Sequence, residues 1–170
     1  MNQQESLFPA NYVKRRCLEN HDCPRAHALI PDDRALRNWT AFLYFQKGMT
    51  MLFNGQEVGE RHLPWLFEKD PVDWNSKPEL TALMQKLYAI KQDPIFTNST
   101  YQVKALSRNF ILATHSMGDK KIYGIFSATG ESGYISIDLP NGTYENLLGG
   151  TVDIYEGGLS VSGEPIVIKV

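Results

Sequence analysis

The spacing of apolar positions changes once along this chain, near residue 97. Before that point, helical spacing alternates with short apolar runs. Tyr12 to Leu18 reads as a strand, although Lys14, Arg15 and Arg16 make it less apolar than a buried parallel strand usually is. Pro31-Asp32-Asp33 opens a helix, because acidic side chains favour the positive end of the helix dipole. Leu36, Trp39, Phe42 and Leu43 share one face of it, and Gly48 ends it. Met49 to Phe53 is an apolar run between turn signals, the pattern of a fully buried strand. Strand, helix, strand in that order predicts a parallel βαβ unit. Residues 1–10 are polar and read as a helix tail or loop. Residues 60–75 scatter Trp65, Phe67 and Trp74 among charges and prolines and read as a long ordered loop, its aromatic rings packed inward. Ser76-Lys77-Pro78-Glu79 fits a capping box, with Ser76 accepting backbone N–H groups. Leu80, Leu83, Met84, Leu87 and Ile90 then recur at helical spacing until Asp93-Pro94 stops the helix.

After Thr97 the runs become short, β-branched and aromatic. Tyr101 to Ser107, Phe110 to Ser116, Ile122 to Ser127 and Tyr134 to Leu139 are divided by Gly118-Asp119, Thr129-Gly130 and Asn141-Gly142 turns. Tyr144 to Leu148, Val152 to Tyr155 and Pro165 to Val170 complete the set. Regular strands with Gly-rich turns predict an antiparallel sandwich or barrel. The expected fold class is α/β over residues 1–97 followed by an all-β domain over residues 98–170. No repeat or low-complexity tract interrupts either part.

Composition narrows the partners. The hydrophobic share is 42% and the charged share 21%, ordinary for a globular chain. A net charge of −2 offers no electrostatic case for nucleic acid or an anionic membrane. No apolar run is long enough to span a bilayer as a helix. Residues 1–16 show no signal peptide, which leaves the compartment open. Cys17 and Cys23 are expected to be buried free thiols, since two cysteines at this spacing supply too few ligands for a metal.

The chemistry concentrates where the first strand ends, in Glu19-Asn20-His21-Asp22-Cys23-Pro24-Arg25. Neighbours along a strand point to opposite faces. His21 and Asp22 therefore serve one site only if the backbone leaves the strand there. A strand end that delivers a carboxylate and an imidazole into a loop is how a barrel enzyme builds its active face. The ordinary alternatives are a turn-capping aspartate and a histidine bonded to a loop carbonyl.

Glu-Asn-His-Asp-x-Pro-Arg after an apolar strand resembles the signature at the end of the seventh barrel strand in the alpha-amylase family, glycoside hydrolase family 13. Gly48 to Gly59, an apolar strand running into Gly55-Gln56-Glu57, is similar to that family's eighth-strand segment. Phe67 to Trp74 resembles its linker to the eighth helix. The three pieces stand in the family's order, and the motifs cover roughly residues 8–97. The resemblance implies a partial TIM (β/α)8 barrel, its last two strand–helix units, followed by an antiparallel β-sandwich domain. It implies retaining cleavage of α-glucosidic bonds in starch-like glucans, with an α-glucan or oligosaccharide as partner. In that family the nucleophilic aspartate ends the fourth strand and the acid/base glutamate the fifth, both ahead of residue 1. A retaining glycosidase needs both carboxylates. The chain is thus expected to be a C-terminal fragment, inactive alone and prone to self-association through exposed barrel edges. No cofactor is expected in it, and the family's calcium sites lie mostly in the other part. Two other readings remain: a non-catalytic carbohydrate-binding or interaction module, and a transglycosylase or branching enzyme of the same family.

By the same resemblance Asp22 is the catalytic residue present here, the third carboxylate, which stabilises an oxocarbenium-like transition state. His21 and Asn20 are the substrate-binding candidates. His21 donates to the sugar at the cleavage point, and Asn20 chiefly orients the strand end. Arg25, Gln56 and Glu57 are supporting residues, with Arg25 pairing to Glu19 or Asp22. His27, His62 and His115 take structural roles, and Tyr144 and Tyr155 are sheet residues.

Overall fold

The computed structural model describes residues 7–9, 12–107 and 109–170. Most of the loop expected over residues 1–10 lies outside the described residues. The first strand pair is parallel: β1 (Arg15–Arg16) lies beside β2 (Met49–Thr50), with Arg15 opposite Met49. Both strands are shorter than the apolar runs predicted. Between them lie α1 (Ala26–Leu29), which the sequence pattern did not announce, and α2 (Asp33–Phe45). Asp32 caps α2 by accepting from Ala35 N at 2.8 Å, as the acidic start led one to expect. Gly48 turns the chain from α2 into β2 with φ of 105°. A Cβ there would stand 2.2 Å from the Lys14 carbonyl oxygen, the same oxygen that accepts from Met49 N at 2.9 Å. Glycine is what allows the two strands to meet.

The helix α3 (Thr81–Lys91) begins later than the expected capping box. Ser76 N donates to Asp73 O in a turn, and Glu79, not Ser76, accepts a helical N–H, from Thr81 at 2.7 Å. A short α4 (Ile95–Asn98) then leads into the β region. Strands β3 (Thr100–Ala105), β4 (Phe110–Met117), β5 (Lys120–Ser127) and β10 (Ile166–Lys169) form one sheet in the order β10-β5-β4-β3. Two further pairs are β6 (Gly133–Ser136) with β9 (Gly158–Val161), and β7 (Gly142–Glu145) with β8 (Thr151–Ile154). All of these pairings are antiparallel. β9 was not foreseen, because Gly158-Leu159-Ser160-Val161 is too short and small to stand out as a strand.

Within the four-stranded sheet, Ile122 to Ser127 of β5 and Ile166 to Ile168 of β10 are buried on both faces, whereas Gln102 and Lys104 of β3 are exposed. Ile122, Phe126, Ala113 and Val167 pack with Phe42, Phe45, Leu83, Leu87 and Phe96 from the helices. On the other face Tyr123, Ile125, Ile166 and Ile168 share a second core with Ile135, Ile137, Ile154, Leu159 and Val161 of the smaller strand pairs. The parts before and after residue 97 therefore meet through one sheet. Buried polar groups lock α2 onto it. Asn38 Oδ1 accepts from Ser127 N at 2.8 Å, and its Nδ2 donates to Gly163 O at 2.7 Å. Lys91 donates to the carbonyls of Tyr44 and Gln46 at 2.7 and 2.6 Å, satisfying the end of α2. Burial pulls that ammonium down to about 8, with Arg16 adding to the fall.

His115 on β4 joins the same seam. Its Nε2 donates to Phe45 O at 2.8 Å, which leaves Nδ1 to accept from Ser99 Oγ at 2.6 Å. Burial pulls the imidazole down to about 4, against the Phe45 carbonyl and with Lys91 and Lys47 contributing. An unfolded imidazole titrates near 6.5. Above that pH both states are neutral. Between 6.5 and about 4 the unfolded chain takes up a proton that the folded chain refuses, so stability falls with pH. The loss is about 3 kcal/mol across the window. Urea midpoints measured from pH 7.5 to 4 are expected to fall more steeply in the natural chain than in His115→Gln. Equal slopes would remove His115 from the profile.

Candidate active-face strand ends

Because β1 and β2 are parallel, both chains leave the pair on the same side. After β1 the backbone turns sharply. Asn20 Oδ1 accepts from Asp22 N at 2.7 Å, and Cys23 N donates to Asn20 O at 3.3 Å. This Asx turn is a short-range alternative to strand pairing. It takes the backbone out of the strand where the shared-site argument requires it. His21 and Asp22 project from the turn with 61% and 72% of their side chains exposed, and His21 Nε2 lies 3.4 Å from Asp22 Oδ1. Asn20 is thus a scaffold of the turn. Its Nδ2 also faces Cys17 Sγ at 4.0 Å. Cys17 and Cys23 are free but exposed, contrary to the burial expected of them.

Beneath the turn, Glu19 and Arg25 are fully buried and paired. Arg25 Nη1 donates to Glu19 Oε1 at 2.8 Å and to Asn54 O at 2.8 Å, and its Nε donates to His62 O at 3.0 Å. The guanidinium also stacks 4.4 Å from the Phe53 ring centroid. The other Glu19 oxygen accepts from Ala26 N at 2.6 Å, at the start of α1. Arg25 thereby ties the turn after β1 to the segment after β2. Of the two partners open to Arg25 in sequence, the structure selects Glu19. A charge at this depth needs such a partner, and Asp22 is out in solvent.

The segment after β2 forms a 3-10 turn, Gln56–Val58. Gln56 is buried, with Oε1 accepting from Phe53 N at 3.3 Å. Glu57 Oε2 accepts from Gly55 N at 3.0 Å, closing its own turn. These two residues therefore brace the second strand end and do not join His21 and Asp22. Glu60 is a structural centre that a lone glutamate after Gly59 does not advertise. It accepts from Arg61 N, His62 N and Asp73 N at 2.7, 2.9 and 2.8 Å. Burial pushes its carboxyl up, but those backbone donors and the Arg25 charge outweigh it and hold it below the ordinary value. His27 is buried, with Nδ1 donating to Gly59 O at 2.7 Å and Nε2 facing Arg61 Nη2 at 2.8 Å.

The loop over 60–75 is ordered, but its rings are not packed inward. Trp65, Phe67 and Trp74 are exposed. His62 meets Asp70 at 2.7 Å, and Asp70 accepts from Trp65 N at 2.9 Å, so the loop is held by polar contacts. Those two contacts, the Trp65 N–H first, hold the Asp70 carboxyl below its usual range. Among the described residues no group of three or more His, Cys, Asp or Glu is arranged to hold a metal ion, and no helix is long and apolar enough to cross a membrane.

This geometry has relatives. Residues 102–168 match the family model of the bacterial alpha amylase C-terminal domain. The crystal structure of an alpha-amylase from Lactobacillus plantarum is 32% identical and superposes with a TM-score of 0.92 over 99% of this chain and 40% of that one. A maltogenic alpha-amylase from Thermotoga neapolitana, 21% identical, superposes with a TM-score of 0.83 over 99% of this chain and 44% of its own, and so shares the fold. Alpha-amylase 1 of Schwanniomyces occidentalis is 25% identical over 142 residues, which are 76% of this chain and 27% of that protein. The chain thus spans less than half of each of these relatives. It belongs to the alpha-amylase family, glycoside hydrolase family 13, and corresponds to the C-terminal portion of its members.

Proposed function

We propose that this chain forms the last two strand ends of a retaining glycosidase active site for starch-like α-glucans. Residues 1–97 would complete a (β/α)8 barrel, and residues 98–170 would be the β-domain behind it. The observation that carries this reading is the Asx turn at Asn20. It presents His21 and Asp22 together in solvent on the side where both parallel strands end, over a buried Glu19–Arg25 anchor. Asp22 then faces the sugar whose anomeric carbon gains positive charge in the transition state. A fixed carboxylate there stabilises that charge, and its bonds to ring hydroxyls tighten as the ring flattens. His21 donates to a hydroxyl of the same sugar. Gln56 and Glu57 keep the second strand end in register with the first.

On this reading the nucleophile and the acid come from sequence outside this chain. Purified chain is therefore expected to release no reducing ends from soluble starch, since two carboxylates are needed for the double displacement. Joining it behind six strand–helix units that carry those carboxylates is expected to restore release. Release by the chain alone that disappears in Asp22→Asn would sink the division of labour proposed here.

A further inference from the structure

The outer face of β6, β9 and β8 takes no part in the reading above. Tyr134 on β6 and Ser160 on β9 are cross-strand partners, and both are exposed. Along β8 and just beyond it Thr151, Asp153 and Tyr155 point outward, while Ile154 points into the core. These side chains line an open hollow of about 690 Å³. That size suits a small ligand.

The Tyr134 ring is held in place, and so is the backbone that carries Tyr155. Glu156 and Gly157 have φ of 50° and 72°, and Tyr155 and Gly158 exchange both backbone hydrogen bonds at 3.0 Å. This is a tight two-residue hairpin with left-handed central residues. A Cβ on Gly158 would stand 2.1 Å from Tyr134 Oη, 2.3 Å from Cζ and 2.6 Å from Cε1. The Tyr134 ring is therefore seated on the β9 backbone, in space that only glycine leaves open, and its hydroxyl donates to Tyr155 O at 3.2 Å. Yet 64% of Tyr134 and 68% of Tyr155 remain exposed. One ring fixed in advance and a second carried on a tight hairpin are thus left bare, so a ligand orders little on binding them.

Charge selects the ligand class. No lysine or arginine lines the hollow. Its carboxylates are engaged: Asp153 Oδ1 accepts from Thr143 Oγ1 at 2.6 Å, and Glu164 from Arg37 Nε at 2.9 Å. An anion meets no cationic side chain in the lining, and of the two carboxylates Glu164 is already ion-paired while Asp153 accepts a hydroxyl with one oxygen. What remains is aromatic surface beside hydroxyls and the second Asp153 oxygen. A pyranose matches that, with C–H groups on its face and hydroxyls at its rim. We propose that this face is a second, non-catalytic glucan-binding site, with Tyr134 and Tyr155 as stacking platforms and Asp153 and Ser160 bonding ring hydroxyls. The choice of an α-linked glucan rests on the reading of Asp22 given above.

Titration of the whole chain with maltoheptaose and with cellohexaose, followed by amide chemical shifts, tests it. Maltoheptaose is expected to shift residues of β6, β8 and β9 equally in the natural chain and in His21→Ala/Asp22→Asn. Binding is expected to weaken at least tenfold in Tyr134→Ala/Tyr155→Ala, and also in Tyr155→Ala alone, whose side chain is too exposed to unfold the domain. Binding lost in His21→Ala/Asp22→Asn and kept in the tyrosine variants would overturn the second site while leaving the proposed function standing. Binding of cellohexaose in place of maltoheptaose would overturn the α-glucan assignment and count against the reading it rests on. No binding of either sugar would overturn the site.

Discussion

Asp22→Asn, in a complete enzyme ending in this chain, is expected to lower kcat by about 10²- to 10³-fold. The change preserves volume and removes the negative charge that the developing oxocarbenium ion needs. It should cost little stability. The Asp22 side chain is solvent-exposed and lies beside His21, while the Asx turn uses the Asp22 backbone N–H, which asparagine keeps. Surface changes of this kind stay within about 0.5 kcal/mol. Measuring kcat on soluble starch alongside Tm separates the two effects. A variant with near-normal kcat and unchanged Tm would remove Asp22 from the chemistry.

Glu19→Gln is expected to do the reverse, acting first on the fold. It removes the charge facing the buried Arg25 guanidinium and leaves one amide oxygen where two carboxylate oxygens served Arg25 and Ala26 N, with the Asn54 and His62 carbonyls as neutral partners. Removing one member of a buried pair costs about 3 kcal/mol or more, because the remaining charge is desolvated without compensation. The same change weakens the carboxylate bond to Ala26 N at the start of α1. Urea unfolding of the single variant and of Glu19→Gln/Arg25→Met gives the test. The double variant should recover part of the loss, since a neutral pair leaves no unpaired charge buried. A single-variant cost below about 1 kcal/mol would mean that the pair does not anchor the strand end.

These two residues also show where sequence reading reaches its limit. Asn20, His21 and Asp22 were legible as chemistry because three polar residues close an apolar strand. The turn that turns His21 and Asp22 outward together was legible only as a requirement. Glu19 offered itself as one of two partners for Arg25, and depth alone chose between them. Glu60 went unnoticed, since a carboxylate that collects three backbone N–H groups depends on where a loop folds. The aromatic loop went the other way. Trp65, Phe67 and Trp74 promised inward packing, but His62–Asp70 and Glu60 order that loop through polar contacts and leave the rings bare.

The chain's own pattern determined most of its sequence of elements, α1 and β9 apart. Local signals suffice for that: apolar spacing for α2 and α3, glycine turns for the antiparallel strands, and Gly48 between helix and strand. It also determined which family the strand ends resemble, because those motifs are contiguous. Tertiary structure alone decided the partners. β5 and β10 are buried on both faces, so their sequence could not say which core each side chain enters. The parallel pair formed only two residues long, because pairing depends on the neighbour across the sheet and not on the length of an apolar run. Burial of Arg25 and His115 follows from contacts between segments far apart in sequence. Such contacts are set by packing over the whole molecule, which no local window of residues contains.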